Sequence, residues 1–423
     1  MSQEINKAEK QDLSLVVQAI GTDLEHTQVR VVASANADML FHYWKVGHFI
    51  LYLQKKEGWG SKVIDNLSKA IRSKYPDKKG YSRRNIFYMC QFASAYPLEV
   101  LKEMDRIDNL LTTPTVEKVL SLTNELNQIV QQPVALIQAT ENQSNTITQQ
   151  PVAQLEEVTE TLSAIYHCDI SQIEEMFKHS AIVRTNWASH VILLNSKLPL
   201  GECYWYISQA VANGWSRNVL QVQIETNLFA RQVTAKKVSN FSARLPKPQS
   251  DLANYLMKDP YIFDLMGQTD KMAERDLEQQ LVSHITKYLL EMGSGFAFVA
   301  QQKHFEVGDS DFYADLILYN IQLHAYVVIE LKATPFKPEY MGQLNFYINV
   351  VDDTLRGEHD NKTIGLLLCN GGDKVVAQYA LSGYDQPIGV SDYQLSKAIP
   401  DNLKSALPTV EEVEEELNRI MNI

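Results

Sequence analysis

Asp315, Glu330 and Lys332 are the residues of this sequence whose types and spacing could do chemistry together. Asp315 stands in the run Phe312–Tyr319, and after a short turn Glu330 and Lys332 close the run Ala325–Lys332. Both runs are rich in apolar, β-branched and aromatic residues and read as strands. Residues two apart in a strand share a face, so Glu330 and Lys332 project together while Ile329 and Leu331 point the other way. If the runs pair as a hairpin, Asp315 approaches Glu330 at one end of it. Two converging carboxylates form a hard oxygen site suited to a dication such as Mg²⁺. A neighbouring ammonium can make an attacking water more acidic or neutralise charge in a transition state. Charge inside an apolar strand is costly unless it is paired or bound to metal. A strand-end Glu–Lys ion pair beside an unrelated Asp would leave the same sequence.

These runs sit in a larger pattern. Leu277, Leu281, Ile285, Tyr288 and Leu289 stripe a helix over 273–292, which Gly293-Ser294-Gly295 ends. Strand-like runs follow at Phe296–Gln301, Asp311–Tyr319, Ala325–Ala333 and Thr363–Cys369, with a helix over Pro338–Val351 between the last two. Helix, three strands, helix, strand predicts a mixed α/β sheet with flanking helices over 270–408. Thr409 and Glu412 form a capping box for an acidic C-terminal helix, 409–423.

The preceding region reads as all-α. Residues 14–56 carry apolar positions at helical spacing, and Val63, Ile64, Leu67, Ile71 and Tyr75 stripe a second helix that Pro76 to Gly80 stops. Ser82 then stands as N-cap to a third helix opening Arg83-Arg84-Asn85 and ending near Pro97. Helix, short turn and capped basic helix is the layout of a helix-turn-helix; a three-helix bundle with a solvated basic face fits equally. A helical domain thus covers 14–120. Residues 121–157 read as a flexible linker or insertion: they are rich in Gln, hold no Lys or Arg, and repeat Gln-Gln-Pro-Val-Ala at 131–135 and 149–153. A second helical region spans 158–262, with Val158–Phe177, Trp187–Leu194 and Tyr204–Asn213 as helices and 240–262 as the connector onward. Within it Gly214 to Leu220 echoes Gly80 to Ile86, either as a duplicated unit or as a recurrent helix start.

The net charge of −12 would argue against a nucleic-acid partner, but the whole excess lies after residue 269. Residues 55–84 carry ten basic side chains, including Lys78, Lys79, Arg83 and Arg84, against three acidic ones. With 45% apolar and 21% charged residues the chain is globular and large enough for two or three domains. No apolar stretch nears the ~20 residues of a membrane span, and the polar start has no signal-peptide core. Four dispersed cysteines without a CxxC pair predict neither a zinc site nor a disulfide framework and suit a reducing cytoplasm. Walker, HExxH and GxSxG motifs are absent.

Glu330-Leu331-Lys332 is the only Glu-x-Lys triplet in the sequence, and its placement after Asp315 and a helix bearing Glu278 resembles the PD-(D/E)xK nucleases. The resemblance extends to the YhcG-like family, which joins a helical N-terminal domain to such a nuclease domain. It rests on Leu277–Val282, Gly308–Leu316, Val328–Lys332, Phe336–Tyr347 and Thr363–Cys369. In the N-terminal region it rests on His42-Tyr43-Trp44, Gly58-Trp59-Gly60, Gly80 to Asn85, Trp187 and Lys258 to Tyr261. Two departures stand out: the 126–157 stretch, which the family does not require, and Ala314 where a β-branched residue is usual. The resemblance implies a restriction-endonuclease-like α/β domain with Mg²⁺ (or Mn²⁺) at Asp315, Glu330 and Leu331, Lys332 as the catalytic lysine, and Glu278 on the preceding core helix. Gln343 and Tyr347, four apart on the following helix, would point back at the strand ends or pack in the core. Such a protein would hydrolyse nucleic acid, DNA first among candidates, with Lys78, Lys79, Arg83, Arg84 and Arg217 on the phosphate backbone. A homo-oligomer or a second protein subunit is compatible with it. The alternative is a non-catalytic nucleic-acid-binding or assembly protein built on a nuclease-like scaffold.

Overall fold

Apolar residues at three- and four-residue spacing wind 34–52 into a first helix, α1, with Leu40, Phe41, Trp44 and Ile50 buried along it. The computed structural model describes residues 34–52, 62–76, 80–112, 114–131, 163, 168–264, 289, 291–293 and 295–396. It divides into two compact units, residues 1–108 with 126–200 and 410–423, and residues 109–125 with 201–409.

The first unit holds α1, α2 (Lys62–Lys74), α3 (Arg83–Ala95) and α4 (Leu98–Lys102). After α5 (Met104–Thr112) and α6 (Val116–Gln131), within which the division falls, come α7 (Ile170–His179) and α8 (Trp187–Ser196). Ser82 caps α3 as expected, its hydroxyl accepting from the Asn85 N–H at 3.2 Å. Asn85 fixes the turn before it. Its amide donates to the carbonyl of Gly80, whose φ of 98° suits glycine, and its Oδ1 accepts from the Trp187 indole at 2.8 Å. Ile50, Ile64, Ile86, Met89 and Cys90 close a core between α1, α2 and α3. Leu122 and Leu126 are buried on α6, so this helix runs to Gln131, into the stretch read as linker. Residues 132–157 and the start of the expected 158–177 helix lie outside the described residues.

Two histidines, His190 buried and His48 half-buried with its Nε2 enclosed, make this unit sensitive to acid. The Nε2 of His190 donates to the Ile182 carbonyl at 2.9 Å, its Nδ1 has no hydrogen-bond partner among the described residues, and Phe92 packs at 4.9 Å. Burial pushes its pKa down to about 4, and that of His48, packed 4.0 Å from Trp44, down to about 3. The unfolded chain takes up these protons near 6.5 and the fold refuses them. Stability is therefore full above pH 6.5 and falls as pH drops toward 4, by up to ~1.4 kcal/mol per pH unit for each histidine. Urea midpoints across that window should show the decline; a flat profile would contradict it.

The second unit continues with α9 (Leu200–Asn213) and α10 (Arg217–Glu225). Ser216 caps α10 by accepting from the Val219 N–H at 3.3 Å, after Gly214 at φ 61°, so the two echoed stretches share a helix-start device. There follow β1 (Val238–Ser239), α11 (Phe241–Arg244), α12 (Gln249–Leu256), β2 (Tyr261–Asp264), β3 (Phe296–Val307), β4 (Ser310–Asn320) and β5 (Ala325–Lys332). The series ends with α13 (Tyr340–Thr354), β6 (Ile364–Cys369), α14 (Lys374–Leu381) and β7 (Ile388–Ser396). The expected mixed α/β sheet is present. Its strand order is β1-β7-β6-β5-β4-β3 with β2 beside β7; β3, β4 and β5 pair antiparallel, and β5, β6 and β7 parallel.

Three features differ from the sequence expectation. β3 runs past Gln301 to Val307, because its ladder with β4 continues around Gly308. β7 was not expected, since Ser391 and Asp392 interrupt its apolar pattern; the Asp259 carboxylate accepts from the Ser391 hydroxyl at 3.3 Å and the Asp392 N–H at 3.2 Å. Residues 240–262 are more than a connector, as Phe241, Leu245, Ala253, Met257 and Tyr261 join the core on one sheet face. The parallel strands are buried on both faces, with Val327, Ile329 and Leu331 in that core and Val328 in the other. Gly365 lets α13 settle on β6, where a Cβ would come within 2.5 Å of Ile348. Most of the expected helix over 273–292, and all of the acidic one over 409–423, lie outside the described residues. Among the described residues no helix is long and apolar enough to cross a membrane.

Candidate active site

The β4–β5 ladder ends at Leu316 opposite Ile329, and one step further the same register sets Asp315 opposite Glu330. Both are buried, Glu330 at 0% exposure and Asp315 at 6%. In place of a ladder, the Asp315 carboxylate receives two donors: the Leu331 N–H reaches Oδ2 at 2.9 Å, and the Gln302 amide reaches Oδ1 at 3.1 Å. Lys332 shares the face of Glu330, as strand alternation requires, and its ammonium lies 3.2 Å from Glu330 Oε1 and 5.6 Å from the centre of the Tyr340 ring.

Glu330 Oε2 is buried and makes no hydrogen bond among the described residues. Burial, and then the charge of Asp315, push the Glu330 pKa up to about 9 against the opposing pull of Lys332. Two buried carboxylates, one with an oxygen that no donor reaches among the described residues, match the needs of a dication, which would hold both ionised. Leu331 has its side chain in the core and its N–H on Asp315, so its carbonyl is all it could offer a metal. Among the described residues no group of three or more His, Cys, Asp or Glu could hold an ion.

α13 brings in the other expected residues. Tyr347 is buried and Gln343 exposed. Burial raises the Tyr347 pKa, the Gln343 side chain opposes the rise, and the charges of Glu330 and Asp315 add to it. The phenol therefore stays protonated beside the carboxylates, as a donor. Glu278, Lys78 and Lys79 lie outside the described residues. Arg83 and Arg84 open α3 at its exposed end; Arg83 pairs with Asp65 at 2.8 Å, and Arg84 donates to the Tyr88 hydroxyl at 3.3 Å. Arg217 opens α10 in the second unit and is exposed. Sequence reasoning missed Gln302, because a polar residue at the end of an expected strand carries no signal of its own.

Residues 254–408 match the YhcG PDDEXK nuclease domain. The C-terminal part of the chain is thus similar to that family. Residues 19–123 match the DUF1016 N-terminal domain, ahead of the PDDEXK match. The match from residue 254 agrees with the packing of α12 and β2 onto the sheet. The chain is 28% identical over 203 residues to the Escherichia coli (strain K12) protein "Putative nuclease YhcG". That alignment covers 48% of this chain and 54% of the relative, so the chain spans about half the length of the curated relative it matches. No solved structure matches it.

Proposed function

We propose that this protein is a metal-dependent nuclease that hydrolyses phosphodiester bonds of DNA. Mg²⁺ or Mn²⁺ would be held by Asp315, Glu330 and the Leu331 carbonyl. The observation that carries the reading is the buried Oε2 of Glu330, which makes no hydrogen bond among the described residues and lies, like Asp315, one step past the end of the β4–β5 ladder. A dication bound there would neutralise phosphate charge and make a water acidic enough to attack. Lys332 supplies a point charge for the pentavalent phosphate, and its stacking on Tyr340 limits where that charge can go. Tyr347 and Gln343 offer neutral donors to phosphate oxygens. Glu278, by family resemblance, would add a carboxylate to the set that serves the metal.

The basic start of α3 would grip the nucleic-acid backbone together with Lys78 and Lys79, and Arg217 would add a contact of its own. Arg83 must leave Asp65 to reach a phosphate, a small cost because such an exposed pair is worth ~0–1 kcal/mol. Replacing Lys78, Lys79, Arg83 and Arg84 by Gln should weaken binding and flatten its salt dependence, by ~0.7–0.9 in logarithmic slope for each lost phosphate contact. Unchanged affinity and slope would remove this surface from the account. The test of the activity itself is incubation with plasmid, linear duplex, single-stranded DNA and RNA, in Mg²⁺, Mn²⁺ or EDTA. Metal-dependent loss of DNA is expected. Binding without cleavage of any substrate would favour the nuclease-like scaffold instead.

A further inference from the structure

We infer that Gln302 is a positioning residue for the metal site, fixing the orientation of Asp315; the inference rests on the metal-dependent reading above. β3 and β4 pair at Gln301 opposite Leu316 and at Lys303 opposite Ala314, and the step between them, Gln302 opposite Asp315, is missing from the ladder. Gln302 has a φ of 43°. This left-handed conformation costs a residue with a side chain on the order of 1 kcal/mol, and inside a strand it makes no turn that would require it.

The irregular step has a visible consequence for the sheet. In a regular strand residues two apart share a face. Here Leu316 and Leu318 lie in the core on one face, whereas Ala314 packs with Val328, Met341 and Leu344 on the other. Alternation is therefore reset at Asp315. The far end of the hairpin turns Phe305 and Phe312 toward α13, where Phe312 and Phe346 rings stand 4.5 Å apart. Asp315 sits at the pivot, without a ladder step to β3 or β5, and its carboxylate is held by the two donors already described.

A donor on each oxygen limits rotation of the carboxylate about its Cβ–Cγ bond and so fixes the direction in which it faces a cation. The choice of amide is chemically apt. A Lys or Arg at 302 would satisfy Oδ1 but would place a positive charge beside the ion, whereas an amide orients the oxygen without adding charge. The backbone irregularity and the hydrogen bond thus serve one purpose, bringing a neutral donor to a metal ligand.

The test is Mn²⁺ titration calorimetry on the full chain, alongside metal-free thermal midpoints, for wild type, Gln302→Gly, Gln302→Met and Asp315→Ala. Gln302→Gly relieves the left-handed backbone while deleting the amide, and Gln302→Met keeps the side-chain volume without the donor. Both should bind Mn²⁺ 10–100-fold more weakly than wild type, the usual effect of losing a group that orients a ligand, with the Gln302→Gly midpoint no lower than wild type. Wild-type affinity in either variant overturns the inference, as does an affinity loss in Gln302→Gly that comes with a lower midpoint. Equal Mn²⁺ binding by wild type and Asp315→Ala would instead overturn the metal site itself, and the role of Gln302 with it.

Discussion

Glu330→Gln should lower cleavage by at least ~10³-fold and, in the absence of metal, raise the thermal midpoint. The two effects have one cause. The fold holds the Glu330 carboxyl at a pKa of about 9 through burial and the charge of Asp315. A carboxyl whose pKa is raised by folding destabilises the metal-free protein above its unfolded value of 4.5, increasingly as pH rises toward 9. Gln removes that burden with the same volume, and it removes a ligand. For comparing thermal midpoints Asp315→Asn is a better partner variant than the Asp315→Ala that serves for metal binding, because truncation at 315 would strand the buried Leu331 N–H at ~1–3 kcal/mol. A more stable metal-free Glu330→Gln that still cuts at the wild-type rate would assign Glu330 to the core rather than to catalysis.

Lys332→Ala is the second large effect: turnover falls ~10²–10³-fold while metal affinity stays within a few-fold of wild type. Lys332 touches Glu330 Oε1 and leaves Oε2 untouched, so a cation at Oε2 does not need the ammonium to bind. Lys332→Arg should recover little, because a planar fork does not replace a compact charge resting on the Tyr340 ring. If Mg²⁺ affinity fell together with turnover, the Glu330–Lys332 contact would be a structural ion pair.

The carboxylate pair was legible in the sequence because Asp315 and Glu330 interrupt runs that are otherwise apolar, and alternation alone puts Lys332 beside Glu330. Helix starts at Ser82 and Ser216 were legible because capping is a local chemistry of one side chain and its own backbone. What stayed hidden depends on partners distant in sequence. β7 carries Ser391 in the sheet because the Lys258 carbonyl accepts from its hydroxyl at 2.7 Å and the Asp259 carboxylate at 3.3 Å, and Gly389 leaves room for Phe241 and Met257. Gln302 gains its place from a backbone angle that no side-chain pattern announces. The four residues of β2 are too few to show a period, yet they align beside β7.

The most direct measurement is single-turnover cleavage of end-labelled duplex DNA by the full chain, with wild type and Glu330→Gln at equal concentration in Mg²⁺, and wild type again in EDTA. The account predicts product only from wild type in Mg²⁺, with both proteins folded and both retaining DNA binding. Product in EDTA, or equal rates from the two proteins, would contradict a metal site at Asp315 and Glu330.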